Sequence, residues 1–128
     1  MRLLLDTNVV LLLLRQDLQR QHPKLAATLI DPATVALVSV ACLWEVAIKT
    51  RLGKLDPGMP LENIAEFLAR LGSSLLSIEP GHVIAAVEPE PNTRDPFDRL
   101  LLAQCQVEGL KLVTLDRTLA GHRLALRV

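Results

Sequence analysis

The 128-residue chain is 50% hydrophobic and carries 14 basic and 14 acidic residues. This length fits a single domain with one substantial core. The balanced charge excludes a strong overall field that would attract nucleic acid or an anionic membrane, so any polyanion would have to be bound by local groups.

Short apolar runs alternate with longer segments of helical periodicity, which predicts an α/β fold with a central, mainly parallel sheet. The predicted strands span residues 3–5, 35–38, 75–78 and 110–114, and a fifth candidate spans 124–128. The predicted helices span residues 7–15, 23–30, 40–51, 61–71, 80–87, 96–108 and 116–120. The helix at 96 has the clearest boundaries, because Asp95 can cap it, Pro96 suits its first position and Gly109 follows its end.

The apolar stretch at the start, LLLDTNVVLLLLR, is interrupted by Asp6 and Asn8 and is too short to span a bilayer. It also makes a poor signal peptide, since no small-residue cleavage site follows it. Cys42 and Cys105 lie in apolar helical patterns and are expected to be small core residues. We therefore expect a soluble protein of the reducing cytoplasm that has no membrane association.

Polar side chains recur where predicted strands end and predicted helices begin. The residues near these junctions are Asp6, Ser39, Glu45, Asp95, Asp98 and Asp116. Asp6 ends the first strand and Asp116 follows the fourth, while Ser39 opens the helix that carries Glu45. The carboxyl ends of parallel strands meet at one edge of a sheet, where ligands bind, so we expect these side chains to converge.

Each acidic residue also has a purely structural interpretation. The candidates for simple N-caps are Asp6, Asp95 and Asp116. Asp98 could add favourable negative charge to the first turn of its helix. Glu45 could pair with Lys49, four residues later, on a solvated face. This last interpretation is the weakest, because the neighbours of Glu45 are mostly apolar.

The argument for a functional site rests on the acids as a group. Carboxylates about 4 Å apart repel by about 4 kcal/mol per pair at an effective dielectric near 20, so a cluster would raise its own pKa values or require a cation. Magnesium and manganese prefer oxygen ligands and keep open coordination positions when a phosphate must also bind. Such a site is suited to phosphodiester hydrolysis.

Other chemistries find less support in the chain. His22, His82 and His122 lack the spacing of zinc ligands and are expected at the surface or in packing roles. The sequence contains no P-loop, no G-x-G-x-x-G and no G-x-S-x-G. Nucleotide-cofactor enzymes and enzymes with a serine nucleophile are therefore poor candidates.

Four motifs, spread over nearly the whole chain, together resemble the PIN-domain family and more closely its VapC-type toxin ribonucleases. They are LLLDTNVV, SVACLWEVAIKTRLGKL, RDPFDRLLLAQCQVEGLKLVTLD and LAGHRL. The resemblance implies a single domain over residues 1–128. It also implies a three-layer sandwich, in which helices flank a mainly parallel sheet of four to five strands.

The resemblance maps the catalytic acids of the family onto Asp6, Glu45, Asp98 and Asp116. It implies that the three aspartates hold Mg²⁺ or Mn²⁺ and that Glu45 binds the ion or orients the attacking water. Asp95 is then an accessory acid. The neighbouring hydroxyls that could hold the acids or a water by hydrogen bonds belong to Thr7 and Ser39.

The chain departs from the family pattern at two places. Related sequences often carry histidine just before RDPFD, where this chain has Asn92 and Thr93, and an aromatic residue near position 13, where it has Leu13. Neither departure removes an acid. Both concern contacts with the substrate.

The resemblance implies a metal-dependent endoribonuclease that leaves a 5′-phosphate and a 3′-hydroxyl. It further implies a toxin that forms a homodimer and is paired with a small antitoxin, whose tail covers the acidic groove. Three alternatives are weighed: a catalytically silent binding module, a housekeeping nuclease, and a phosphatase or receiver-type domain. Retention of all four acids argues against the first, and the absence of D-x-D-x-T at Asp6 argues against the last.

The single tryptophan and the absence of tyrosine predict that stacking platforms for single-stranded RNA are lacking, which favours recognition of a folded RNA by shape and backbone. The candidate phosphate-binding residues are Lys49, Arg51, Lys54, Arg94 and Arg99. For any one of them, ordinary surface charge is at least as plausible.

Overall fold

A computed structural model, which describes residues 1–127, contains one sheet of four parallel strands. The strands are β1 (Arg2–Leu5), β2 (Val35–Ser39), β3 (Ser74–Leu76) and β4 (Lys111–Val113), in the spatial order β3-β2-β1-β4. In the register of the sheet, Leu4 pairs with Leu37 on one side and with Leu112 on the other. The predicted α/β fold with a parallel sheet is confirmed.

Eight α-helices connect and flank these strands in the part of the chain that is described. They are α1 (Thr7–Leu14), α2 (Leu18–Gln21), α3 (Pro23–Ile30), α4 (Val40–Arg51), α5 (Ile64–Arg70), α6 (Pro80–Ile84), α7 (Pro96–Glu108) and α8 (Arg117–Ala120). A 3₁₀ turn at Leu61–Asn63 precedes α5. Within residues 1–127, none of the helices combines the length and the hydropathy that a bilayer crossing requires.

The core is built from leucine and valine on both faces of the central strand. Leu3, Leu4 and Leu5 are all fully buried, and successive side chains of a strand point to opposite faces, so both faces of β1 must be covered. This is the three-layer arrangement that the resemblance implies. Cys42 and Cys105 are buried free thiols, and burial raises the pKa of each to about 12. Their prediction as core residues is confirmed.

Three elements differ from the predicted ones. Helix α2 was not predicted; the chain leaves α1 through Gln16, whose φ of 58° lies in the left-handed region without a glycine to mark it. Strand β3 ends at Leu76, since the Ser77 carbonyl accepts a hydrogen bond from Gln104 Nε2 rather than from a strand. Helix α6 ends at Ile84, before the predicted end at 87.

The fifth predicted strand, residues 124–128, is reduced to an isolated parallel bridge between Leu112 and Ala125. The Leu112 N–H donates to the Leu124 carbonyl, and the Leu126 N–H donates to the Leu112 carbonyl, each over 2.8 Å. Val128 lies outside the described residues. The sheet therefore has four full strands and one bridged segment along β4.

Strand order defines the position where a site is expected. The chain moves from β1 to β2 on one side of the sheet and reaches β4 on the other side, so the strand order reverses at β1. In open parallel sheets, ligands bind beyond the carboxyl ends of the strands at such a reversal. Asp6 follows the end of β1 at this position, and its N–H donates to the Val113 carbonyl of β4 over 2.9 Å.

Candidate active site

The predicted acids lie around one crevice at the carboxyl edge of the sheet. Asp6 precedes α1 and Asp116 precedes α8, directly beyond β1 and β4. Glu45 reaches the crevice from α4, and Asp98 reaches it from the first turn of α7. Burial is the largest cause that raises the pKa of Asp6 and of Asp98. The acids add to it: the charges of Glu45 and Asp116 raise the pKa of Asp6, and those of Asp95, Asp6 and Asp116 raise that of Asp98.

The predicted caps are all present, so the structural and the functional interpretation apply to the same residues. Asp6 Oδ1 accepts from the Thr7 N–H over 2.8 Å, Asp95 Oδ1 from the Phe97 N–H over 2.8 Å, and Asp116 Oδ1 from the Thr118 N–H over 2.7 Å. Ser39 Oγ caps α4 by accepting from the Ala41 N–H over 3.0 Å. In each aspartate the capping bonds go to Oδ1, so Oδ2 is not used for capping.

Threonine hydroxyls hold three of the four acids. Thr7 Oγ1 donates to Glu45 Oε1 over 2.6 Å, Thr93 Oγ1 to Asp98 Oδ2 over 3.3 Å, and Thr114 Oγ1 to Asp6 Oδ2 over 2.7 Å. Only the role of Thr7 was predicted from the sequence. Ser39, which was predicted beside Thr7, engages the backbone of its own helix.

The two threonines that were not predicted, Thr93 and Thr114, each stand two residues before a capping aspartate. In the tripeptides TRD and TLD, the aspartate N–H donates back to the threonine hydroxyl, over 3.1 Å for Asp95 and 3.0 Å for Asp116. Each hydroxyl therefore accepts from a capping aspartate and donates to a different acid. A repeated T-x-D tripeptide before two helices was the available signal.

We predict that Thr114→Val lowers the RNA cleavage that the family resemblance implies about 10- to 100-fold, the range seen when a partner of a metal-binding side chain is removed. The hydroxyl of Thr114 is the group that orients Asp6 Oδ2, and valine keeps the shape but not the hydrogen bond. Thr114→Ser, which keeps the hydroxyl, is the control and is expected to retain most of the activity. Cleavage rates for the two variants, compared at equal thermal stability, check this role; equal losses would contradict it.

Glu45 is buried in α4, with 7% of its surface exposed. Its Oε2 pairs with Lys49 Nζ, and its Oε1 accepts from Thr7, so both carboxylate oxygens have partners. The predicted pairing with Lys49 is thus present, but on a buried carboxylate rather than on a solvated face. The hydrogen bond that Lys49 donates to Glu45 raises the pKa of Lys49, and the charges of Asp95 and Asp98 raise it further, so the ammonium lies within the field of the crevice.

The crevice carries excess negative charge. Burial, then the charges of Asp95 and Asp6, raise the pKa of Asp98 to about 6. Burial also raises the pKa of Asp6, against hydrogen bonds from Thr114 and Thr7 that lower it. Among the ion pairs of residues 1–127, only Lys49 neutralises any of the four predicted acids.

The described residues do not form a closed ligand cage. Nowhere in residues 1–127 do three histidine, cysteine, aspartate or glutamate side chains lie close enough together to hold a metal ion as they stand. The donor types are nevertheless those of a hard cation, because the crevice offers carboxylate oxygens and threonine hydroxyls. Asp6 is 4% exposed, whereas Asp98 and Asp116 are partly exposed on the open side.

The predicted phosphate-binding residues fall into two groups. Arg51, Lys54 and Arg94 are exposed to solvent. Lys49 and Arg99 are already engaged: Lys49 pairs with Glu45, and Arg99 donates from Nε to the Thr93 carbonyl over 2.9 Å while Nη2 pairs with Glu90. Arg99 therefore holds the loop that carries Thr93.

Two of the three histidines, His82 and His122, have structural partners. His82 is 1% exposed, and its Nδ1 accepts from the Glu79 N–H while its Nε2 lies 2.8 Å from Glu108 Oε2. His122 Nε2 lies 2.8 Å from the Pro89 carbonyl. Both contacts match the predicted packing roles.

Comparison with known proteins agrees with this architecture. The family model of the PIN domain matches residues 3–122, a range that contains all four predicted acids. Over 76 residues the chain is 36% identical to Ribonuclease VapC16 of Mycobacterium tuberculosis, an alignment that covers 52% of this chain and 54% of that protein. The chain thus spans about half the length of this curated relative.

Proposed function

Because the chain belongs to the PIN-domain family, we propose that it is a metal-dependent endoribonuclease that acts as the toxin of a toxin–antitoxin pair. The observation that carries the proposal is the crevice itself. Four carboxylates influence one another at the strand-order reversal, and three of them lack an ion pair among the described residues. Similarity to a ribonuclease of the VapC type supports RNA as the substrate.

A divalent cation fits the donors of the crevice. Asp6, Asp98 and Asp116 would hold it, since their oxygens are hard ligands and their charges repel one another without a counter-ion. When bound, Mg²⁺ or Mn²⁺ would polarise the phosphoryl oxygen and make water a stronger nucleophile.

The chain's own residues would orient the reactants. Glu45 lies at the buried side of the crevice, where Thr7 and Lys49 fix both of its oxygens. Its proposed role is to orient the attacking water. Thr114 and Thr93 would hold Asp6 and Asp98 in fixed rotamers. Hydrolysis by an in-line water would leave a 5′-phosphate and a 3′-hydroxyl. Asp95 would support Asp98 through the helix cap rather than touch the substrate.

The partners would be a folded RNA and a small antitoxin, and the toxin would be a cytoplasmic homodimer. An antitoxin that places a basic side chain among the acids would neutralise the same excess negative charge that a cation would neutralise. Inhibition and metal binding would then compete for one crevice.

Cleavage of RNA by the purified protein tests the proposal. We expect cleavage with Mg²⁺ or Mn²⁺, none with a chelator, and products that carry a 5′-phosphate. Growth arrest on induction, relieved by co-expression of the neighbouring small gene, would distinguish a toxin from a housekeeping nuclease. Metal-independent cleavage, or equal activity in Asp6→Asn and wild type, would show that the metal-nuclease proposal is wrong.

Metal binding can be measured without activity, through thermal stability at two pH values. The pKa of Asp98 is raised to about 6 in the folded state, above its ordinary value of 3.8. Between these values the folded state binds more protons than the unfolded state, so the stability that this group contributes at low pH is lost as pH rises through about 6. Millimolar Mg²⁺ is therefore expected to raise Tm clearly at about pH 7.5 and much less at about pH 5, where protons occupy the site.

Asp98→Asn is the matched control for this measurement. It removes the carboxylate that titrates near neutral pH, so the difference between the two Mg²⁺ shifts should shrink. Equal Tm shifts at both pH values in wild type would contradict the role of the crevice in binding the ion.

A further inference from the structure

A large aromatic side chain is exposed on α4, next in sequence to the predicted acid Glu45. Trp44 is 60% exposed, although tryptophan is usually buried to a high degree. It directly precedes Glu45 on α4, and its ring packs against Phe97, which directly precedes Asp98 on α7. Trp44 and Phe97 therefore connect the two helices that bring these acids to the crevice.

The contact with Phe97 fixes the indole without covering it. The ring centroids lie 5.7 Å apart and the ring planes meet at 74°, an edge-to-face arrangement. Whichever ring presents its edge, Phe97 covers at most one face of the indole. At least one face is thus free of Phe97 on a side chain whose backbone lies in a regular helix.

Cationic side chains accompany the ring along α4. Arg51 lies seven positions after Trp44, close to two helical turns, so it is on the same face of the helix, and it is exposed. Lys49, four positions after Glu45, is instead on the Glu45 side of the helix and pairs with that carboxylate. Proteins that bind single-stranded nucleic acid combine such an exposed ring, on which a base stacks, with a nearby cation, which contacts a phosphate.

We propose that Trp44 is a stacking platform for one unpaired base of the RNA substrate, adjacent to the phosphodiester that is cleaved. This inference rests on the proposed function and narrows its substrate to RNA with an unpaired nucleotide at the cleavage site, such as the loop of a folded RNA. The prediction that stacking platforms are lacking was based only on the number of aromatic residues. A single exposed ring is enough to position one base.

The chain contains only one tryptophan, so its fluorescence reports on this side chain alone. We expect short single-stranded oligoribonucleotides to quench the emission of the Asp98→Asn variant in Mg²⁺, with cleavage absent, and of wild type in chelator. A fully paired RNA duplex should quench much less. The Ile30→Ala variant is the control, since Ile30 is also exposed, at 77%, but ends α3 at the opposite edge of the sheet.

Kinetics of variants provide the second readout. Trp44→Leu is expected to raise KM about ten-fold or more with little change in kcat, whereas Trp44→Phe, which keeps a π-face, should lie close to wild type. Removing the stacked base from the RNA should have the same effect as Trp44→Leu. The two changes together should cost no more than either alone, because both remove one contact.

The outcomes separate this inference from the proposed function. Cleavage by wild type without quenching, and with an unchanged KM in Trp44→Leu, would show that stacking is wrong while the nuclease remains. Quenching by single-stranded RNA without cleavage under any condition would support the stacking surface and contradict the proposed nuclease activity. If RNA is neither cleaved nor bound, both are wrong. If Trp44→Leu instead changes the sedimentation of the protein alone and RNA leaves emission unchanged, Trp44 belongs to a protein interface.

Discussion

Replacing Asp98 with asparagine is expected to lower RNA cleavage by about 10³-fold or more, because a metal-binding carboxylate supplies several kcal/mol of transition-state stabilisation. The fold should survive. The Asp98 side chain accepts one long hydrogen bond from Thr93, which asparagine can also accept. Losing a charge near the start of α7 costs about 0.3–1 kcal/mol, and above about pH 6 this cost is offset by removing a carboxylate whose pKa is raised by burial and by neighbouring acids.

Asp95→Asn is the matched control, three residues earlier in the same motif. Asp95 Oδ1 caps α7 through the N–H groups of Phe97 and Asp98, and asparagine caps a helix about as well as aspartate. We therefore expect a loss of activity within about tenfold, arising from the weaker support of Asp98. Single-turnover cleavage rates measure both variants, and equal losses would show that the two aspartates share one role.

Replacing Asp6 with asparagine is expected to abolish cleavage and, in the absence of metal, to stabilise the protein. Burial and the charges of Glu45 and Asp116 raise the pKa of Asp6, so the ionised form is unfavourable in the folded state. A raised folded-state pKa means that stability present at low pH is lost as pH rises, and a neutral side chain avoids that loss. The amide can still cap α1 through its oxygen.

Chemical denaturation with a chelator, at about pH 7.5 and at about pH 4, tests this combination. Asp6→Asn should raise the free energy of unfolding at the higher pH, and the gain should shrink at the lower pH, because wild-type Asp6 takes up protons as the pH falls. Thr114→Val is the control, since it removes a neighbouring hydrogen bond without removing the charge. A destabilised Asp6→Asn would mean that its hydrogen bonds outweigh the burial of its charge.

The elements of the fold were predictable where local chemistry agrees with the apolar pattern. Helix α7 runs from Pro96 to Glu108 as predicted, because Asp95 caps it and Gly109, at φ 69°, ends it. Helix α2 was missed because Gln16 takes the same left-handed conformation without any residue type that signals it. The last strand was overextended, since apolar composition does not distinguish a bridge at Ala125 from a strand.

The positions of the acids in the candidate site were predictable, but of the hydroxyls that hold them only Thr7 was predicted. Each acid stands beside a strand end or in the first turns of a helix, a position that the sequence order marks. The hydrogen bond from Thr114 to Asp6 joins residues 108 positions apart, and no local pattern specifies such a partner. The exposed position of Trp44 was not predicted, because composition gives the number of aromatic rings in a chain and not their location.

The helix caps have a consequence for the order of folding and metal binding. Helices α1, α4, α7 and α8 all begin at the crevice, and each directs the positive end of its macrodipole towards the carboxylates. Peptide dipoles that are fixed by the backbone thus offset part of the repulsion among the acids, at about 0.3–1 kcal/mol for each capped carboxylate. Small zinc domains, in contrast, fold only when the ion arrives. Here the scaffold can assemble first, and the proposed cation, or a basic side chain of the proposed inhibitor, would enter a crevice whose helices are already in place.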